Sequence, residues 1–100
     1  MTRTKKATHK SSPKTSHIHN TSIQAQRARL LAALIQLGSV NTLYCRDRLN
    51  IMHPGGRVME LRRQGHEIIT DLIAIRDRDG RRHIKVARYV LIRLAQEVQP

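Results

Sequence analysis

Arg57, Arg62 and Arg63 follow the pair Gly55-Gly56 in "HPGGRVMELRR", and four further arginines, Arg76, Arg78, Arg81 and Arg82, surround the acids of "RDRDGRR". A guanidinium stays charged at any working pH and presents a planar fork of donors. It therefore pairs with phosphate oxygens as a cation and with the O6 and N7 edge of guanine as a bidentate donor. No serine, cysteine or histidine stands with a base and an orienting group, as nucleophilic catalysis requires, and the acids are scattered beside arginines. The chemistry on offer is recognition of a polyanion. An enzyme, a cofactor and a small-molecule substrate are not expected.

The elements that would hold these groups can be read from spacing. Pro54 suits the first turn of a helix and Gly65 the position just past its end, which predicts a helix over residues 54 to 64. At 100° per residue, Val58 and Leu61 set its buried side, Gly56, Met59, Glu60 and Arg63 point the other way, and Arg57 and Arg62 flank the two. Before it, "NTLYCRDRLN" reads as a short helix capped by Asn41 or Thr42. Leu43, Cys45 and Leu49 face inward, Arg46, Asp47 and Arg48 face outward, and Asn50 ends it in a left-handed turn. Cys45 is read as a small packing residue, not a reactive thiol. An earlier helix over residues 22 to 37 has Ser22 as its cap, Gly38 at its end, and Ile23, Leu30, Leu31, Leu34, Ile35 and Leu37 on one broad apolar face. After Gly65, two β-branched runs, 67 to 75 and 83 to 92, bracket Asp79-Gly80, a strong hairpin signal.

Two helices joined by the short turn "NIMH" make a helix-turn-helix, whose second helix enters a major groove by its N-terminal end. The hairpin that follows is a wing, its tip placing Arg76, Arg78, Arg81 and Arg82 against phosphates. The expected fold is thus α+β, a winged helix-turn-helix of three helices followed by a β-hairpin wing. Gly55 and Gly56 each cost roughly 1 kcal/mol of helix stability relative to alanine, a cost that makes sense where the front of the helix must approach another surface closely. His53, ahead of the helix, can cap it or touch phosphate.

Composition agrees with this. The chain carries 19 Lys and Arg against 7 Asp and Glu, a net charge of +12, with a pI near 11.5. Residues 1 to 20 contain five of the positive charges, Lys5 and Lys6 among them, no acid and little that could be buried. They read as a disordered basic arm attached to a domain over residues 21 to 100. Taking those five from +12 leaves +7, so the domain is basic without its arm. The longest apolar run, "LLAALIQL", is far short of the ~20 residues of a membrane span. A lone cysteine excludes an intramolecular disulfide and a cysteine zinc cluster, which points to the cytoplasm. The histidines of "HIH" have no companion ligands at metal spacing, and Asp77 and Asp79 lack the later glutamate of a calcium loop, so no metal is expected.

The stretch "SVNTLYCRDRLNIMHPGGRVMELRRQGHEIIT" resembles the small winged helix-turn-helix domain proteins of bacteriophages and prophages. Their Arg-Val/Ile-x-x-Leu-Arg-x-x-Gly-x-x-Ile pattern falls on Arg57, Val58, Leu61, Arg62, Gly65 and Ile68, and the likeness spans about residues 22 to 92. It implies double-stranded DNA as partner and a role in phage or mobile-element regulation, as a transcription factor or an excision factor. On this reading Thr42, His53, Gly55, Gly56, Arg57, Met59, Arg62 and Arg63 meet DNA from the helices, Arg78, Arg81 and Arg82 from the wing, and Lys5 and Lys6 from the arm. Arg57 and Arg63 are the expected readers of guanine.

Two other readings compete. An RNA or ribosome-associated protein would present exposed aromatics for base stacking, whereas Tyr44 and Tyr89, the only two aromatics, lie at positions expected to be buried or half-buried. A protein-interaction module, or a homodimer, could use Leu91, Leu94 and Val98 after the wing as a small contact surface.

Overall fold

The computed structural model describes residues 20–96. Helix α1, Ile23–Leu37, starts where the Ser22 hydroxyl accepts from the Ala25 amide and ends where Gly38, at φ 84°, returns its amide to Leu34 O. A short strand, β1, Ser39–Asn41, leads directly into α2, Thr42–Arg48, which is capped by Asn41 Oδ1 accepting from the Tyr44 amide. Asn50, at φ 55°, turns the chain toward α3, Pro54–Arg63. Gly65, at φ 103°, turns it again into the hairpin of β2, Glu67–Arg76, and β3, Arg82–Arg93. The fold is α+β, three helices with an antiparallel sheet in the order β1-β3-β2.

The hairpin is thus part of a three-stranded sheet with β3 at its centre. β1, which the sequence reading did not anticipate, is three residues long and too short to show alternation. Pairing makes it a strand: Val40 lies opposite Tyr89, and the Leu91 amide donates to Gly38 O just beyond it. In β3, Ile84 and Lys85 together oppose Ala74, between the pairs Ile75–His83 and Ile73–Val86, and Lys85 adopts φ 58°. A bulge of this kind strengthens local twist, here where the wing leaves the body of the domain.

Leu30 and Leu34 from α1, Cys45 from α2, Ile51 from the turn, Val58 and Leu61 from α3, and Val40, Ile68 and Tyr89 from the sheet form the core. Ile51 is fully buried, so the turn between α2 and α3 is itself anchored. Burial pushes the Cys45 thiol up to about 12, against a smaller opposing effect of the Arg46 charge, which keeps it protonated and inert.

The broad apolar face expected on α1 is narrower than its sequence suggests. Leu30, Ala33 and Leu34 are buried and Leu31 packs beside them, but Ile23, Ile35 and Leu37 are exposed. Arg29 takes a place inside. Its Nε donates to Leu49 O at 2.7 Å, and its Nη groups donate to Asn20 O at 2.6 Å and Asn50 O at 3.4 Å. Carbonyls at the end of α2 have no helical partner, and a guanidinium with several donors can satisfy more than one of them. Desolvation lowers the Arg29 pKa, but it remains a cation. Of the small contact surface expected after the wing, Leu91 packs on the core, Leu94 is exposed, and Val98 lies outside the described residues.

Candidate nucleic-acid interface

The outward side of α3 carries Gly56, Met59 and Arg63. Met59 is half-exposed, a side chain added at Gly56 would meet nothing within 4 Å, and Arg63 has no hydrogen-bond or ion-pair partner among the described residues. His53 is exposed at the N-cap position and makes no side-chain cap bond. Gly55 looks toward the sheet, where an added Cβ would sit 3.6 Å from Tyr89 Oη, an ordinary contact.

The two other arginines of α3 are held within the protein. Arg57 donates through Nε and Nη2 to the two oxygens of Glu60, each at 2.9 Å, and its side chain is only 14% exposed. Glu60 also accepts from Arg27 of α1 at 3.1 Å. Desolvation alone would raise the Glu60 pKa, but the hydrogen bonds and charges of Arg57 and Arg27 together outweigh it and the net shift is downward. Arg62 donates from Nε to Ile68 O at 2.8 Å and from Nη2 to Thr70 Oγ1 at 2.9 Å, which ties the end of α3 to the start of β2. Thr42 donates to Ala87 O at 3.3 Å, and the α2 cap is Asn41.

The wing tip is built around Asp77. Its Oδ1 accepts from the Asp79 and Arg81 amides, both at 2.9 Å, and its Oδ2 lies 2.8 Å from His83 Nε2. The His83 hydrogen bond, with those amides, holds the Asp77 carboxyl below its ordinary pKa. Gly80 at φ 83° and a bond from Arg76 Nη1 to Gly80 O complete the turn, and Arg76 faces Arg82 across the ladder. Arg81 and Arg82 are exposed, with no side-chain partner among the described residues. Arg78 reaches across to Asp47 on α2, and the hydrogen bond and charge of that aspartate raise its pKa.

The Arg78–Asp47 ion pair spans a cleft of about 440 Å³ between α2 and the wing, with Leu43, Tyr44, Met52 and Ile75 in its walls. Arg46 and Arg48 border it, Arg46 donating to Met52 O at 2.9 Å and Arg48 lying 6.0 Å from the Tyr44 ring centroid. The site reading from sequence did not include these two arginines. The signal was present in "YCRDRLN", but only folding brings that helix beside the wing. Lys5 and Lys6 of the expected arm lie outside the described residues.

Acids of this surface are largely occupied. Asp47, Glu60, Glu67 and Asp71 each pair with arginine, and Asp77 with His83. Cations without an acidic partner therefore include Arg63 at the end of α3, Arg81 and Arg82 at the wing tip, and Arg46 and Arg48 on α2.

Residues 25–94 match the winged helix-turn-helix domain. The chain belongs to this family. Comparison with curated proteins and with solved structures returned no match. A winged helix-turn-helix is typically a DNA-binding fold without enzymatic activity, and no helix among the described residues is long and apolar enough to cross a membrane.

Proposed function

We propose that this winged helix-turn-helix protein is a sequence-selective binder of double-stranded DNA. In this reading α3 enters the major groove, Arg63 is its guanine reader, and Arg81 and Arg82 of the wing hold phosphates. Arg57 and Arg62 act as positioning groups that set the pose of α3. The carrying observation is that Arg63, Arg81 and Arg82 have no protein partner among the described residues, while the neighbouring arginines do. The likeness to phage and prophage proteins supports a regulator or excision factor of a mobile element, acting in a host cytoplasm. Tyr89 is buried and Tyr44 half-buried, which favours a duplex over a single strand stacked on aromatic platforms.

Selection of bound duplexes from a random pool at two salt concentrations tests the proposal. An enriched site is expected. Arg63→Ala should lose about 1 to 3 kcal/mol of preference for it, with little change on random duplex. Replacing Arg81 and Arg82 together with alanine should weaken all duplexes alike and reduce the salt slope by about two. No enrichment, or tighter binding to single-stranded RNA in direct competition, would reject the assignment.

A further inference from the structure

We propose that Met59 reads the methyl group of a thymine in the major groove, about two base-pair steps from the guanine read by Arg63. The inference rests on the DNA-binding reading above and assigns part of its sequence preference.

Val58 and Leu61 turn one side of α3 into the core, and Gly56, Met59 and Arg63 fall within about 60° of one another on the opposite side. Pro54 is buried and Gly56 has open space around it. Within α3 nothing on the outward line projects ahead of Met59, so along that line it is the first side chain of the helix that a groove meets. Glu60, next to it, is saturated by Arg57 and Arg27.

A thioether has no donor and only a weak acceptor, so Met59 cannot read the hydrogen-bonding pattern of a base pair. Its flexible, polarisable chain makes apolar contacts well. The major-groove edges of the four bases display one apolar group, the C5 methyl of thymine. Set against any other edge, Met59 would displace water from donors and acceptors without replacing the lost bonds, which weakens binding. Thymine is therefore favoured both by contact and by exclusion of the alternatives. Four helical residues rise about 6 Å and stacked bases are about 3.4 Å apart, so the thymine should lie about two base-pair steps from the guanine.

The test uses the full chain and the duplex enriched in the selection above, with each thymine replaced singly by deoxyuridine, which removes the methyl and nothing else. At one thymine, wild-type affinity should fall about fourfold, the 0.8 kcal/mol of one buried carbon group converted at 1.4 kcal/mol per tenfold. Met59→Ala should bind the unmodified duplex more weakly by a similar factor and be indifferent to the methyl, while Met59→Leu keeps the methyl dependence. The inference is overturned if wild type ignores every replacement, if Met59→Ala retains the fourfold loss, or if the enriched site contains no thymine. A protein that enriches a site yet ignores the methyl removes this inference alone, and one that enriches no duplex removes the DNA-binding reading together with it.

Discussion

The helical frame and the wing tip are both rich in arginine and use it in opposite ways. In the frame, Arg29 closes the end of α2, Arg57 locks onto Glu60, and Arg62 ties α3 to β2. At the tip, the turn is held mainly by an aspartate and backbone amides, and Arg81 and Arg82 stay outside it. The difference follows from what lies within reach. A helix places an acid one turn away and its end exposes carbonyls, so a long guanidinium finds acceptors nearby. A tight turn uses up most of its own acceptors in closing, and the guanidiniums of Arg81 and Arg82 are left without a protein partner among the described residues.

The sharpest way to break this contrast is Arg29→Ala. Carbonyls at the α2 end would lose their donor in a buried setting, and the loss should be about 3 kcal/mol by denaturant unfolding. Labelling of the buried Cys45 thiol should accelerate in step, because its reaction reports opening of the same frame. The alanine pair at Arg81 and Arg82 should leave unfolding within about 0.5 kcal/mol of wild type. A large destabilisation there would mean that the tip is part of the frame.

A smaller effect is expected from Glu60→Gln. The amide removes the charge that both guanidiniums face and replaces the acceptor of Arg57 Nη2 with a donor, so stability should drop by less than for Arg29→Ala, and preference for the enriched duplex should weaken as α3 loses its brace. Unchanged preference would separate the brace from recognition.

The smallest effect is a pH dependence. The Asp77 and Glu60 pKa values are depressed in the fold, and so is that of Asp71, chiefly through its bond from Arg88. A depressed carboxyl contributes stability that is present above its unfolded pKa of about 4 and lost as pH falls through the lower folded value. Stability should therefore fall below about pH 4. Asp77→Asn should remove the acid-induced shift of the Asp79 and Arg81 amide resonances at the tip, while Glu60→Gln should flatten the acid limb of global unfolding.

Much of this architecture was legible from local chemistry. Ser22 and Gly38 bounded α1, Pro54 and Gly65 bounded α3, and Asn50 marked the left-handed turn, because each of these residues has a backbone or capping preference that acts without distant partners. β1 was not legible, since three residues become a strand only when β3 is alongside. Nor was the exposure of Ile23, Ile35 and Leu37: α1 is apolar around more of its circumference than its neighbours cover. In the candidate site, Met59 and Arg63 lie on the side that helical periodicity assigned to them, whereas the engagement of Arg62 with Ile68 and Thr70 depended on the path taken after Gly65.

The amino-acid order alone determined the charge, the helix limits and the hairpin, because these follow from composition and from interactions a few residues apart. Tertiary structure decided which guanidiniums stay available. Arg78 meets Asp47 across 31 positions, and Arg29 meets Leu49 across 20. A cation's role depends on whether an acceptor lies within its reach in space, and separations of that length along the chain are closed only when the core assembles.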